Sequence, residues 1–538
     1  MIERRAHRPA VMGRRGMVAS AHPLASAAGL EMLWRGGNAV DAAVAVAATL
    51  NVVEPFMSGV GGDGLLLLTL GHSAERKVLN FMGRTPFAAR PEGCTPEELD
   101  RGPKASLVPG NFAGWWEALR SHGRLPPSTV FAPAIRYADE GFPLTHRGAG
   151  FLAEHWRRLT PQGGAVFCPG GEVPRPGTLL PHQALAATLR RLVAEGPDLL
   201  YRGDLGKRVC EAVQSAGGWL TQEDLAAFRP EWQDPILSTF RDTEVASVPP
   251  PAAGVQVLET LNILEGFDLR ALGQNSAETL HLIIEAVKLT TADRIAYQSL
   301  PDAPVSGLLS KGYAVAQRTR IHPEQTGVSG GERYTSEPLA GAVPPGDPHG
   351  YNREHTTHFS VVDGEGNAAS ITQTLGSPFG SGFIAGETGI LLNNLLKWSD
   401  LDPRSPNALT PHRTVETRMA PIQAFRSGRL LLALGTPGSY GIPQTTTQMF
   451  LNLVEYGMDI QEAIEAPRVR VYQDRAVDVE TRVPTEVRAA LAARGHVIRE
   501  LPDWSWVVGG GQGVWVDPVS GALAGGADPR RDGYAMGW

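Results

Sequence analysis

Two adjacent threonines, Thr356 and Thr357, open the run HTTHFSVVDGEGNAASITQTLG (355–376). A threonine hydroxyl is a poor nucleophile until a base takes its proton. If the peptide bond before Thr356 is cut, the new α-amine of Thr356 is such a base, carried on the same residue. Its unperturbed pKa of about 7.7–8.0 leaves a substantial neutral fraction near neutral pH. The same side chains also suit an ordinary strand, because β-branched residues fit a pleated surface. Local chemistry alone leaves both readings open.

The elements that must position this pair are legible around it. From His358 the chain reads FSVVD after the histidine, then a DGEGN turn, then AASITQTL, a hairpin pattern with Asp-Gly and Gly-Asn between its arms. On the second arm Thr374 follows Thr372 by two residues, so the two share a face. GTPGSYG (435–441) is a turn whose backbone N–H groups can line an oxyanion hole or an ordinary loop. Residues 23–35 have helical spacing that stops at Gly36-Gly37-Asn38, and a second helix starts near Ala39. Leu65–Leu70 reads as a buried strand. From Ser276 to Tyr297 the pattern predicts a long amphipathic helix with Leu280, Ile283, Ile284, Val287 and Ala292 on one face. Residues 325–353, rich in Gly, Pro and polar groups, read as exposed loop or disorder.

Composition narrows the class. With 538 residues and 42% apolar content the chain can bury a large core. Its net charge of −7, without a basic stripe, gives no support for nucleic-acid or anionic-membrane partners. Cys94, Cys168 and Cys210 are far apart and lack zinc spacing or a disulfide framework, so they read as packing residues. The basic start MIERRAHRPAVMGRRGM lacks the apolar centre of a signal peptide. The apolar run VDAAVAVAATLNVV (40–53) falls short of the ~18–20 residues of a membrane span and reads as a buried helix. The expectation is a cytoplasmic protein.

The pattern TTHFSVVD…GN…T.TLG.PFGSG…AGETGILLNN resembles the nucleophile segment of the γ-glutamyltransferase superfamily, N-terminal-nucleophile hydrolases that cut themselves in two. The resemblance runs along nearly the whole chain. It includes GMVASAHPLASAAGLEMLWRGGNAVDAAVAVAATLNVVEP (16–55), SGVGGDG (58–64), FAPAIRYADEGFPL (131–144), GGWLTQEDLAAF (217–228), VPPPAAGVQVLETLNILEGFDL (248–269), EAVKLTTADRIAY (285–297), RMAPIQ (418–423), LGTPGSYGIPQ (434–444) and GGADPRRDG (525–533). It implies an α/β (α+β) fold, the four-layer αββα sandwich, formed by one proenzyme chain cleaved between His355 and Thr356. The large subunit would be 1–355, with 325–355 as a flexible tail, and the small catalytic subunit 356–538. No cofactor or metal is implied, and the partners are a small-molecule amide and the two subunits themselves.

The resemblance also assigns roles, and this chain departs from some of them. Thr356 matches the nucleophile and Thr374 the second threonine that contacts it. Gly438 and Ser439 match the oxyanion loop, where the family has two glycines. Where the family binds the glutamyl α-amine, this chain has Gly376, Leu395 and Trp398, with Asp400 two residues out of register. On the carboxylate side the family's arginine falls on Met82, with Arg84 two residues on, and its paired serines fall on Thr417 and Arg418. A guanidinium at 418 suits a carboxylate; it also suits a structural ion pair. An apolar wall compensates a desolvated ammonium poorly. The pattern therefore predicts a Thr-nucleophile amidohydrolase or acyltransferase, hydrolysis favoured, for a substrate with a carboxylate but no α-amine. Oxamate hydrolases and glutaryl-type cephalosporin acylases of the superfamily fit that description. The alternatives are a true γ-glutamyltransferase or glutathione hydrolase using Arg84 and Asp400, and an unprocessed, non-catalytic binding protein. His358 is expected to be structural, and Ser329, in GVSGG (327–331), lacks the strand and helix that a serine nucleophile needs.

Overall fold

Two antiparallel sheets of seven strands lie face to face in the computed structural model, which describes residues 6–327, 355–472 and 475–538. The first sheet runs Tyr534–Gly537, Gly16–Ser20, His355–Asp363, Ala368–Gly376, Asp63–Leu70, Glu75–Asn80, Glu231–Gln233. The facing sheet runs Val11–Gly13, Leu523–Ala527, Gln512–Val516, Arg429–Gly435, Ile422–Arg426, Thr243–Ser247, Ile236–Phe240. Small and aliphatic residues fill the space between them, among them Met17, Ala19, Val362, Ala433 and Val514. Gln423 adds a polar tie, donating from Nε2 to the Leu67 carbonyl at 3.0 Å and accepting from Thr69. Helices cover both outer faces, giving the four-layer αββα sandwich expected from the sequence.

The expected hairpin is the centre of the first sheet. His355–Asp363 and Ala368–Gly376 pair antiparallel, with Val362 opposite Ala368 at the turn. Behind them lies the helix Ala39–Val53, buried along its whole length. The preceding helix, Pro23–Trp34, ends as expected at Gly36, whose φ of +86° suits glycine. Asn38 then caps the next helix in a reciprocal box with Asp41. The Ala39 amide also donates to Asp363 at 2.9 Å, and Glu54, just past the helix end, accepts from Thr357 at 3.0 Å. The lengths match: a fifteen-residue helix spans about 22 Å, and the strand from Thr357 to Asp363 about 20 Å. The helix is therefore pinned at both ends to the strand that starts with the two threonines.

Two expectations need correction. The helix Ala277–Tyr297, capped by Ser276, is not amphipathic over its first two-thirds. Polar residues such as His281, Glu285 and Lys288 are buried along with Leu280 and Ile284, because other elements pack around the helix. Ala292, placed on the apolar face, is only half-buried. The tail expected over 325–355 does not start at 325. Thr326 is buried, its amide bonded to the Arg494 carbonyl at 2.8 Å and its hydroxyl to Lys288 and Glu285. Residues 328–354, including Ser329, lie outside the described residues. No helix among the described residues is long and apolar enough to cross a membrane.

Candidate active site

At Thr356 the hairpin ladder slips. His355 is opposite Gly376 and Thr357 opposite Gln373, so Thr374 and Leu375 together face Thr356. Such a bulge disrupts pairing locally and re-aims a side chain. Here it brings the two threonines together: the Thr356 hydroxyl donates to Thr374 Oγ1 at 3.4 Å, and Thr374 Oγ1 also accepts the Gly376 amide at 2.8 Å. Both are buried. The Thr356 carbonyl accepts from Arg531 Nη1 at 3.2 Å.

His358 lies two residues on, on the same strand face, and its ring spans the gap between the sheets. It bonds Thr372 at 2.9 Å and Ser360 at 3.1 Å. A Cβ on Gly435 of the facing sheet would meet the imidazole at 2.5 Å, so glycine is required there by close approach. Burial lowers the His358 pKa to about 3, leaving a neutral packing group rather than a base.

One wall of the site is apolar. Met82, Leu395, Trp398 and Met419 belong to a single buried cluster. Leu395 and Trp398 share a side of the short 3₁₀ turn Leu395–Trp398, as three-residue spacing requires. Gly376, with φ at +99°, abuts this turn, and a Cβ there would lie 2.1 Å from Asn394 Oδ1 and 3.2 Å from Leu395. The Asn393 and Asn394 amides fix the turn by bonding backbone groups of Gly61, Leu107 and Asp100, and of Ser377. Lys397 points away from the wall to Asp100 and Ser377, at 3.0 and 2.9 Å. Burial raises the Asp100 pKa, but Lys397 and Arg158 outweigh it and hold it at about 2.

Arg418 closes the wall. Its guanidinium is buried, 5.4 Å from the Trp398 ring centre and 4.3 Å from that of Tyr440, whose hydroxyl it also bonds. Nη1 donates to the Glu416 carbonyl at 3.0 Å, and Glu416 is ion-paired with Arg294. Tyr440 adjoins the turn expected as the oxyanion loop. There Gly438 has φ +135° and Ser439 φ +56°. A left-handed residue explains why glycine suits position 439, and serine adopts it here at a cost in strain. The turn is backed by 509–511, where the Gly510 amide donates to Thr436 Oγ1 at 3.0 Å.

Other expected residues lie elsewhere. Arg84 is turned toward the surface and paired with Glu231 at 3.0 Å. Asp400 is exposed and bonded to Ser405. Thr417 is buried, with its hydroxyl on the Met419 amide and its own amide on the Pro251 carbonyl. Glu54, Arg531, Tyr440 and the Asp100–Lys397 pair were not expected from the sequence. Glu54, Asp100 and Arg531 reach the site from far along the chain, whereas Tyr440 and Lys397 sit beside expected residues in the 435–441 and 395–398 turns. Among the described residues, His281, Glu285 and His496 stand close enough to share a metal ion, but Glu285 already accepts from Lys288, Thr326 and the Gly327 amide.

The family described as Gamma-glutamyltranspeptidase matches residues 25–538. The acylase ACY 1 proenzyme of Pseudomonas sp. is 37% identical over 97% of this chain and 93% of its own length. The glutathione hydrolase proenzyme of Bacillus subtilis is 32% identical over 98% and 92%. The crystal structure of cephalosporin acylase from Bacillus halodurans superposes with a TM-score of 0.89 at 34% identity, covering 100% of this chain and 99% of that one. The chain belongs to the γ-glutamyltranspeptidase family and is an amide-hydrolysing enzyme of the N-terminal-nucleophile hydrolase fold.

Proposed function

We propose that Thr356 is the nucleophile of an autoprocessing amidohydrolase whose acyl substrate carries a carboxylate but no α-amine. In the precursor, Thr356 Oγ1 attacks the His355 carbonyl carbon. The C–O bond forms, the C–N bond breaks, and the hydroxyl proton ends on the released α-amine. Water then hydrolyses the ester, leaving a carboxylate on His355 and a free hydroxyl on Thr356. In the mature enzyme the α-amine takes the Thr356 proton as the hydroxyl attacks the substrate amide. Amides of the Gly438–Ser439 turn would receive the developing oxyanion. The leaving amine departs, and water releases the acid.

The observation that carries this reading is an unbroken line of neighbours. It runs from Thr356 through Thr374 and Gly376 to Leu395, Trp398, Arg418 and Tyr440, and ends at Ser439. Along that line Arg418 is a cation suited to a carboxylate, although Glu416 stands 3.8 Å from its Nε. The anions near the wall, Glu416 and Asp100, are already paired with Arg294 and Lys397, and Trp398 faces the Arg418 guanidinium. Asp400 and Arg84, which γ-glutamyl recognition would need, are engaged at the surface. The names of the acylase relatives fit an acyl amide of this kind.

The test compares glutaryl, succinyl and γ-glutamyl anilides. An unpartnered buried ammonium costs several kcal/mol, so kcat/KM for the glutaryl anilide should exceed that for the γ-glutamyl anilide by about a hundredfold or more. Preference for the γ-glutamyl compound would overturn the substrate assignment and favour the glutathione hydrolase reading.

A further inference from the structure

We infer that Glu54 and Arg531 are positioning residues that hold Thr356 in its bulge, Arg531 through the Thr356 carbonyl and Glu54 through the Thr357 hydroxyl. The inference rests on the reading of Thr356 as the nucleophile. Thr356 and Thr357 point to opposite faces of the strand, as alternation requires. Glu54 therefore acts on Thr356 only through its neighbour. Its carboxylate accepts the Thr357 hydroxyl at 3.0 Å. Arg531 donates to the Thr356 carbonyl at 3.2 Å, and the same Nη1 lies 3.4 Å from Met57 Sδ.

The bulge supplies the reason for such a clamp. A regular ladder would fix the Thr356 peptide with strand hydrogen bonds, but two residues face one here, and the neighbouring Leu375 amide goes instead to the Met57 carbonyl at 3.0 Å. Side chains are therefore placed to help hold the peptide that bears the nucleophile, as the Arg531 bond to its carbonyl does. Packing alone would be served by apolar residues, since burying charges is costly. Arg531 is 3% exposed, and its Nε and Nη2 have no acceptor among the described residues. It is poorly explained as filler.

Charge couples the two residues. Burial raises the Glu54 pKa to about 7, against the opposing effects of Arg531 and the Thr357 hydrogen bond, while Asp532 adds to the rise. Around Arg531 stand Glu54, Arg147 and Asp528. As pH rises through about 7 Glu54 ionises, becoming a stronger acceptor for Thr357 and a counter-charge for Arg531. Below that pH the clamp loses its negative charge. The precursor has no α-amine at Thr356, so a step near pH 7 in its cleavage rate does not come from the base used in the mature reaction.

The experiment follows cleavage of full-length precursor, made by cell-free translation, in buffers from about pH 5.5 to 9. The proteins are wild type, Glu54→Gln, Arg531→Lys, Arg531→Met and Thr356→Ala, each with its unfolding midpoint measured. The expected wild-type rate rises through about pH 7 and levels off. Glu54→Gln should be at least about tenfold slower at pH 8 and lack that step. Arg531→Met should be slower still, and Arg531→Lys should recover part of the loss, because an ammonium can still donate to the carbonyl. Folded Glu54→Gln and Arg531→Met proteins that cleave with the wild-type rate and pH profile would overturn the inference while leaving the nucleophile intact. Cleavage in Thr356→Ala would instead overturn the nucleophile reading.

Discussion

Ser439 occupies a left-handed backbone conformation that suits glycine, with φ at +56°. Left-handed backbone costs a non-glycine residue about 1–2 kcal/mol. Subtracting the extra chain entropy of glycine, Ser439→Gly should stabilise the protein by about 0.5–1 kcal/mol. Thermal unfolding of the uncut Thr356→Ala background would measure it, and an unchanged or lower midpoint would remove the strain argument. His358 gives a prediction about pH. Its folded pKa is lowered to about 3 from 6.5, so the unfolded chain binds a proton that the folded chain refuses. Its contribution is complete above the unfolded value and is lost as pH falls from there toward about 3. Between about pH 7.5 and 5.5 the loss is about 1.4 kcal/mol. Denaturant titrations should therefore show the stability gap between wild type and His358→Gln narrowing by about that amount over this range. A constant gap would mean that His358 titrates normally. The threonines and the odd serine were singled out in the sequence by the family resemblance, because local spacing left each of them open to an ordinary strand or loop reading. Glu54 and Arg531 were not, because only the folded chain brings them together.

At the scale of elements, the hairpin and the helix behind it were legible from turn residues, caps and apolar runs. The bulge was not, since a one-residue slip leaves no mark in a pattern of period two. Nor was the burial of Ala277–Tyr297 on all sides, which is set by what packs on it rather than by its own periodicity. The substrate wall shows what an element can forbid. An asparagine at position 376 would add a polar group on the side where the resemblance places the α-amine. With φ at +99° and Asn394 Oδ1 2.1 Å from the site of a new Cβ, the return strand and the 395–398 turn cannot both keep their places. Gly376→Asn should cost about 2 kcal/mol or more and leave γ-glutamyl anilide hydrolysis no faster. Faster γ-glutamyl turnover in a folded Gly376→Asn protein would show that the wall is more adaptable than this.

For the molecule as a whole, each sheet is built from strands that lie before residue 355 and strands that lie after it. Gly16–Ser20 lies between Tyr534–Gly537 and His355–Asp363, Ala368–Gly376 pairs with Asp63–Leu70, and Ile422–Arg426 pairs with Thr243–Ser247. A cut before Thr356 would thus divide the chain without dividing either sheet. The two pieces should co-migrate on size exclusion and separate only in denaturant strong enough to unfold the whole; separation under native conditions would mean that the sheets do not persist after cleavage. The order of strands could not be read from the sequence itself, because each strand's pattern fixes its buried face but not its neighbour. The family resemblance implied the four layers but not that order. The measurement that bears most directly on the central claim is the intact mass of purified wild type and Thr356→Ala after incubation at neutral pH. The account predicts two masses for wild type, the smaller starting at Thr356, and one uncut mass for Thr356→Ala. A wild-type chain that hydrolyses amides while remaining uncut, or a Thr356→Ala chain that is still cleaved, would contradict it.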